Sequence, residues 1–191
     1  MIHIIGTCHK TQILTDLVRK RALGAAPESK LKAFENYLAD AARGLGAVAI
    51  AEEMSEGRIR DYGHNAVSIA RMVARKLNSI HIFCEPDVDA RRELGLRAGQ
   101  DMVDFVDEIV RRNDRDFLEV HQEEVRKQFT TRERFWISCI KPHLRKGPLI
   151  FVCGADHCET FPITLSEHGI DAQIYNLDWT LTAEIQCPCC M

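Results

Sequence analysis

Two histidines, His9 and His157, and the carboxylates Glu52, Glu53 and Asp156 are the side chains whose types fit a catalytic centre, if the fold brings them together. Two imidazoles with a carboxylate suit Zn, Fe, Mn or Co, and the spacing does not choose among them. An ion held by His9 and His157 would lower the pKa of a bound water towards neutrality. Glu52 or Glu53 would then serve as a ligand or as the general base, with Asp156 orienting a ligand or the water. Each residue also has a plainer reading. His9 can donate to a loop carbonyl, and Glu52-Glu53 can be a solvated strand end. Asp156 and Glu159 have the spacing of a helix capping box. In that setting His157 falls in the first helical turn, where the helix dipole favours the neutral imidazole.

Other side chains add weaker signals. Cys158, at the expected helix N-terminus, is a candidate reactive thiol or, alternatively, a small buried hydrophobe, as is Cys8. Arg91 and Arg132 are candidate anion-binding guanidinium groups. Their alternative is helix-surface charge beside a core stripe through Phe135, Trp136, Cys139 and Ile140. The terminal cluster Cys187, Cys189 and Cys190 has no second pair nearby, so it is a weak metal signal. No GxxxxGK[ST], GxGxxG or GxSxG stretch is present. Standard nucleotide loops and the serine-hydrolase elbow are therefore excluded.

The elements that must position these residues alternate. Short apolar runs at 1–6, 47–51, 80–84, 148–153 and 171–177 read as buried strands. Helical periodicity covers 11–22, 28–43, 64–77, 99–129 and 157–168, with charged 111–116 as a possible break. Residues 55–63 read as a loop. Thr130 and Glu133 match a capping box, which predicts a fresh helix over 131–141, before Pro142. Strands alternating with helices imply an α/β fold: a three-layer, mainly parallel five-stranded sheet with helices on both faces. The reading is one domain over 1–191, with a helical insertion or cap over about 97–142 and a Cys-rich tail over 185–191. Open sheets of this class bind ligands at the carboxyl ends of their strands. His9, Glu52-Glu53, Glu85 and His157 all fall there.

Composition bounds the partners. The chain has 191 residues, is 46% hydrophobic and carries a net charge of −3, which suits a globular domain rather than a disordered one. Without a basic surplus no nucleic-acid partner is expected. No apolar run reaches the roughly 20 residues of a membrane span, and Met1–Gly6 lacks the basic start of a secretory signal. A cytoplasmic location with reduced thiols, a small-molecule ligand and possible homo-oligomers are the expectations.

Gly6-Thr7-x-His9, an acidic strand end at Glu52 or Glu53, and Gly154-x-x-His157 resemble the superfamily of TraB, Tiki, ChaN-like and erythromycin-esterase-like proteins. Glu85-Pro86-Asp87, Arg91–Gly95 and Arg132–Trp136 look more like a small bacterial branch. The resemblance implies a divalent-metal-dependent hydrolase, the two histidines and the glutamate surrounding the ion, or alternatively a haem-binding member. Two further readings are a non-catalytic small-ligand or haem-binding sensor using the same crevice, and a thiol-redox protein.

Overall fold

The computed structural model describes residues 1–14, 28–63 and 65–179. Its strands are β1 (Ile2–Thr7), β2 (Ile13–Leu14), β3 (Ala49–Glu52), β4 (Val67–Ser68), β5 (Ile80–Phe83), β6 (Leu149–Gly154) and β7 (Ala172–Asn176). Its α-helices are α1 (Glu28–Gly44), α2 (Glu56–Asp61), α3 (Ile69–Lys76), α4 (Val88–Glu93), α5 (Gln100–Asn113), α6 (Phe117–Ile140) and α7 (Phe161–Glu167). Five strands form one sheet in the order β5-β3-β6-β1-β7. Every pairing within it is parallel, so the expected α/β sheet is present. Strands β2 and β4 pair antiparallel as a separate ribbon.

Alternation along the strands builds the three layers, because successive side chains point to opposite faces. Ile2, Ile4, Ala49, Ala51, Leu149 and Phe151 pack on one face against Trp136, Ile137 and Ile140 of α6 and Phe161 and Leu165 of α7. Ile5, Ile50, Ile150 and Val152 pack on the other face against α1 and α3, through residues such as Phe34, Leu38 and Val73. The same alternation sends Glu52 and Glu53 to opposite faces. That split decides which of them reaches the candidate centre.

Several local expectations are corrected. Residues 56–61 form a helix, not a loop, because the Ser55 hydroxyl accepts from Arg58 N at 3.2 Å and starts it. Of the helix expected over 11–22, residues His9–Thr11 make a 3-10 turn and Ile13–Leu14 a strand, and 15–22 lie outside the described residues. The helix expected over 64–77 begins only at Ile69, after strand β4. The helix expected over 157–168 is a 3-10 turn, Ala155–Cys158, followed by α7 from Phe161. Asp156 therefore caps no α-helix, and His157 sits in the 3-10 turn. The Cys-rich tail lies outside the described residues.

The helical middle is two helices that break earlier than Thr130. Asp114 closes α5 with a positive φ of 49°, and Asp116 opens α6 by accepting from Glu119 N at 2.9 Å. α6 then runs unbroken through Thr130, whose hydroxyl donates back to the Arg126 carbonyl at 3.2 Å instead of capping. Met102 and Val106 of α5 pack against Val120 of α6, while the far end of α6 covers the sheet. We expect Asp116→Ala to cost about 1 kcal/mol by loss of the cap. Thr130→Ala should stay within about 0.5 kcal/mol of wild type, since Ala is the better helix former. Urea titration of both variants checks this; a loss confined to Thr130→Ala would put the helix start at 130.

Candidate functional site

The carboxyl ends of β1, β3, β5 and β6 converge with the underside of α6 on one buried ion network. Glu53, one residue past β3, is its hub and has 1% of its side chain exposed. Its Oε2 accepts from Gly154 N at 2.7 Å. Its Oε1 accepts from Arg132 Nη2 and lies 3.5 Å from His9 Nε2 and 3.7 Å from His157 Nε2. Burial alone would raise the carboxyl pKa. The coulombic pull of protonated His9, of Arg132 and of protonated His157, with the Gly154 N–H, outweighs burial and holds it at about 2. Glu53 is therefore ionised at neutral pH.

Arg132 answers that charge. Its Nε and Nη2 donate to Glu85 Oε2 at 3.2 and 2.9 Å, and its Nη1 lies 3.3 Å from His157 Nε2. Burial opposes its charge, but Glu53 and Glu85 raise its pKa above the ordinary arginine value. Glu85 also accepts from Arg91 Nη1 at 2.6 Å and from the Trp136 indole at 3.3 Å.

A second carboxylate fixes the imidazole. Glu133 is fully buried and accepts from His157 Nδ1 at 2.8 Å, from Thr164 Oγ1 at 2.6 Å and from Thr160 Oγ1. With Nδ1–H committed to Glu133, the Nε2 lone pair of His157 faces the Arg132 guanidinium. Phe129 stacks on the ring at 4.0 Å and Trp136 meets it edge-on at 4.6 Å. His9 is the solvent-facing member, with 33% of its side chain exposed. Its Nδ1 pairs with Gln12 Nε2 at 3.3 Å, a donor, so Nε2 carries the proton and points at Glu53. Gly154 leaves room for this ring: a Cβ there would stand 3.3 Å from His9 Cε1 and 3.4 Å from Glu53 Oε2.

Of the residues singled out by sequence, His9, Glu53, His157, Arg132 and Arg91 share this network, the last through Glu85. Glu52 does not. It points to the α1/α3 face, where its Oε1 accepts from Ser68 Oγ at 2.5 Å and His81 Nε2 at 2.7 Å and its Oε2 is buried without a partner among the described residues. Asp156 is exposed and makes no hydrogen bond or ion pair with a described residue. Arg132 and Arg91 are paired with the protein's own carboxylates, and Arg91 also lines a cleft beside Glu85. Cys158 is fully buried against Gly6; a hydrogen bond from Cys153 lowers its pKa against the opposing effect of burial. All five described cysteines, Cys8, Cys84, Cys139, Cys153 and Cys158, are free thiols. Sequence reasoning missed Glu133, Thr160, Thr164, Gln12 and the indole of Trp136. The available signal was Arg132, Glu133 and Trp136 on one turn of an otherwise apolar helix stripe.

The residues named for a divalent ion do not fit one as they stand. Glu53 Oε1 and His157 Nε2, two of its expected donors, already face the Arg132 guanidinium. Among the described residues no group of three His, Cys, Asp or Glu is placed to hold a metal ion. No helix among them is long and apolar enough to cross a membrane. A cleft of about 500 Å³ opens beside Glu85 and Arg91, lined also by Ser55, Arg58, Arg60 and Asp87. No family model matches the chain, and no curated protein and no solved structure matches it.

Proposed function

We propose that this network is the centre of a hydrolase acting on a small molecule. The observation that carries the reading is the ionised, buried Glu53 in reach of two imidazoles and a guanidinium, drawn from segments far apart in sequence, with His9 at the solvent edge. A buried ionic network is a poor way to stabilise a fold, since well-packed apolar side chains often do as well or better. Clusters of strongly perturbed groups concentrate where chemistry is done. In this reading Glu53 holds the Nε2–H of His9, and Nδ1, released from its part-buried contact with Gln12, takes a proton from the attacking water and returns it to the leaving group. The guanidinium of Arg132, oriented by Glu85 and by the His157 ring that Glu133 fixes, supplies the preorganised polarity that meets developing negative charge. The motif-level resemblance to the TraB, Tiki, ChaN-like and erythromycin-esterase-like proteins supports hydrolysis and carries no substrate.

The test is a panel of chromogenic carboxylic esters, amides and phosphoesters, assayed with and without added divalent ions. Turnover of at least one class is expected, falling by about 100-fold or more in His9→Ala, the scale of lost acid–base catalysis. No turnover on any class, or full activity in His9→Ala, would sink the proposal. A second reading, a ligand-binding module without turnover, is favoured by the cleft that extends the network from Glu85 and Arg91. It expects members of an anionic-metabolite panel to raise Tm in wild type and not in Arg91→Ala.

A further inference from the structure

We infer that Arg132 is the resident cation of this centre, occupying by covalent attachment the place that a divalent ion would take among Glu53, His157 and Glu85. The geometry is specific to a guanidinium. One planar group reaches Glu53 Oε1 with Nη2, Glu85 Oε2 with Nε and Nη2, and His157 Nε2 with Nη1, so three acceptors from three chain segments share it. Arginine offers five donors in a rigid fork, which a lysine ammonium cannot reproduce. The remaining wall is apolar, since Trp136 lies beneath the guanidinium with Cζ 5.4 Å from the ring centroid. The side chain is only 15% exposed, so water does little of the neutralising.

The alternative occupant meets two obstacles. Tetrahedral coordination at ordinary Zn–N and Zn–O lengths separates neighbouring donors by about 3.4 Å. The separations of His9 Nε2 and His157 Nε2 from Glu53 Oε1, 3.5 and 3.7 Å, lie close to that value. Yet an ion taking Glu53 Oε1 and His157 Nε2 would lie against the guanidinium, and the two positive charges would repel. Displacing Arg132 would also leave a buried guanidinium without its acceptors, which is the costly half of breaking a buried ion pair. The centre therefore keeps its positive charge on the chain. This deepens the hydrolase reading by assigning its electrophilic group, and its tests read metal content, stability and imidazole state rather than turnover. A failed substrate panel leaves them unaffected.

The experiment uses the full chain purified without chelator. Elemental analysis is expected to find no stoichiometric Zn, Mn, Fe or Co, and neither EDTA nor 1 mM of these ions is expected to move Tm. One ion per chain, lost in His9→Ala, would overturn the inference. Arg132→Ala is expected to lower Tm, and methylguanidinium at 100 times its Kd should restore about 5 °C or more, while equal NaCl or urea should not. No restoration would count against a resident guanidinium. If Arg132→Ala does not fold, Arg132→Lys decides: loss of the Nη1 contact should shift the His157 Nε2 resonance in ¹⁵N NMR. An unchanged resonance would overturn the assignment.

Discussion

At pH 7 the Glu53→Gln protein is expected to unfold with about 3 to 5 kcal/mol less free energy than wild type, the usual cost of removing one partner from a buried ion pair. The amide keeps an acceptor for Gly154 N. Its NH₂ group, however, confronts Arg132 and His9, both donors towards Oε1, so the buried guanidinium loses one of its two carboxylates and keeps only Glu85. The pH dependence carries a separate sign. Glu53 titrates at about 2 in the native protein against 4.5 for the free side chain, so the unfolded chain binds the extra proton between those values. Stability from this group is fully present above about pH 4.5 and is lost as pH falls through about 2. A shift of that size corresponds to about 3 kcal/mol. Acid unfolding followed by circular dichroism should therefore show wild type losing its advantage over Glu53→Gln between pH 4.5 and 2. The other carboxylates are common to both proteins and cancel in the difference. Parallel curves through that window, or a neutral-pH difference under about 1 kcal/mol, would contradict the assignment of Glu53 as the hub.

How much of this was legible in the sequence follows from range. The central strands β1, β3 and β6 were readable because a strand buried on both faces is a short, nearly continuous apolar run, while the less buried edge strands β5 and β7 were readable as short runs with Ile and aromatic residues next to turn residues. The convergence at their carboxyl ends followed from the fold class. The choice between Glu52 and Glu53 also lay in the residues, through strict alternation. Ala49 and Ala51 share a face with Glu53, and Ile50 shares one with Glu52, but which face α6 covers is a tertiary fact. Glu133 shows the opposite limit. Three residues after Thr130 it has the spacing of a capping box, a local signal, and the fold overrides it because α6 lands on the sheet with Glu133 facing His157. The capping-box spacing of Asp156 and Glu159 is overridden likewise. The chain turns there as a 3-10 segment that sends the next residue, His157, inward and leaves Asp156 in solvent. Metal-like residue types at strand ends were visible, and so was Arg132 as an anion-binding candidate; that it pairs with Glu53, Glu85 and His157 was not, because its reach across the network depends on packing.

The close fit at the end of β1 sets the second large expectation. Gly6 lies where β1 passes under the chain leaving β7, and a Cβ there would fall 2.0 Å from the Leu177 carbonyl oxygen and 2.6 Å from Cys158 Sγ. The thiol can turn aside, but the carbonyl is backbone and can retreat only by moving the end of β7. Added atoms in a packed interior ordinarily cost 1 to 3 kcal/mol, and a collision with backbone belongs at or above the top of that range. We therefore expect Gly6→Ala to lose about 3 kcal/mol or more in urea titration. Because β7 is an edge strand, held to the sheet by its pairing with β1, the loss should be uneven. Hydrogen exchange should rise first over Ala172–Asn176, while β3 and β6 keep their protection until global unfolding. The displacement also reaches the centre, since Cys158 follows His157 in the same 3-10 turn. A Gly6→Ala protein as stable as wild type, with β7 still protected, would mean that the chain beyond Asn176 does not pass over Gly6.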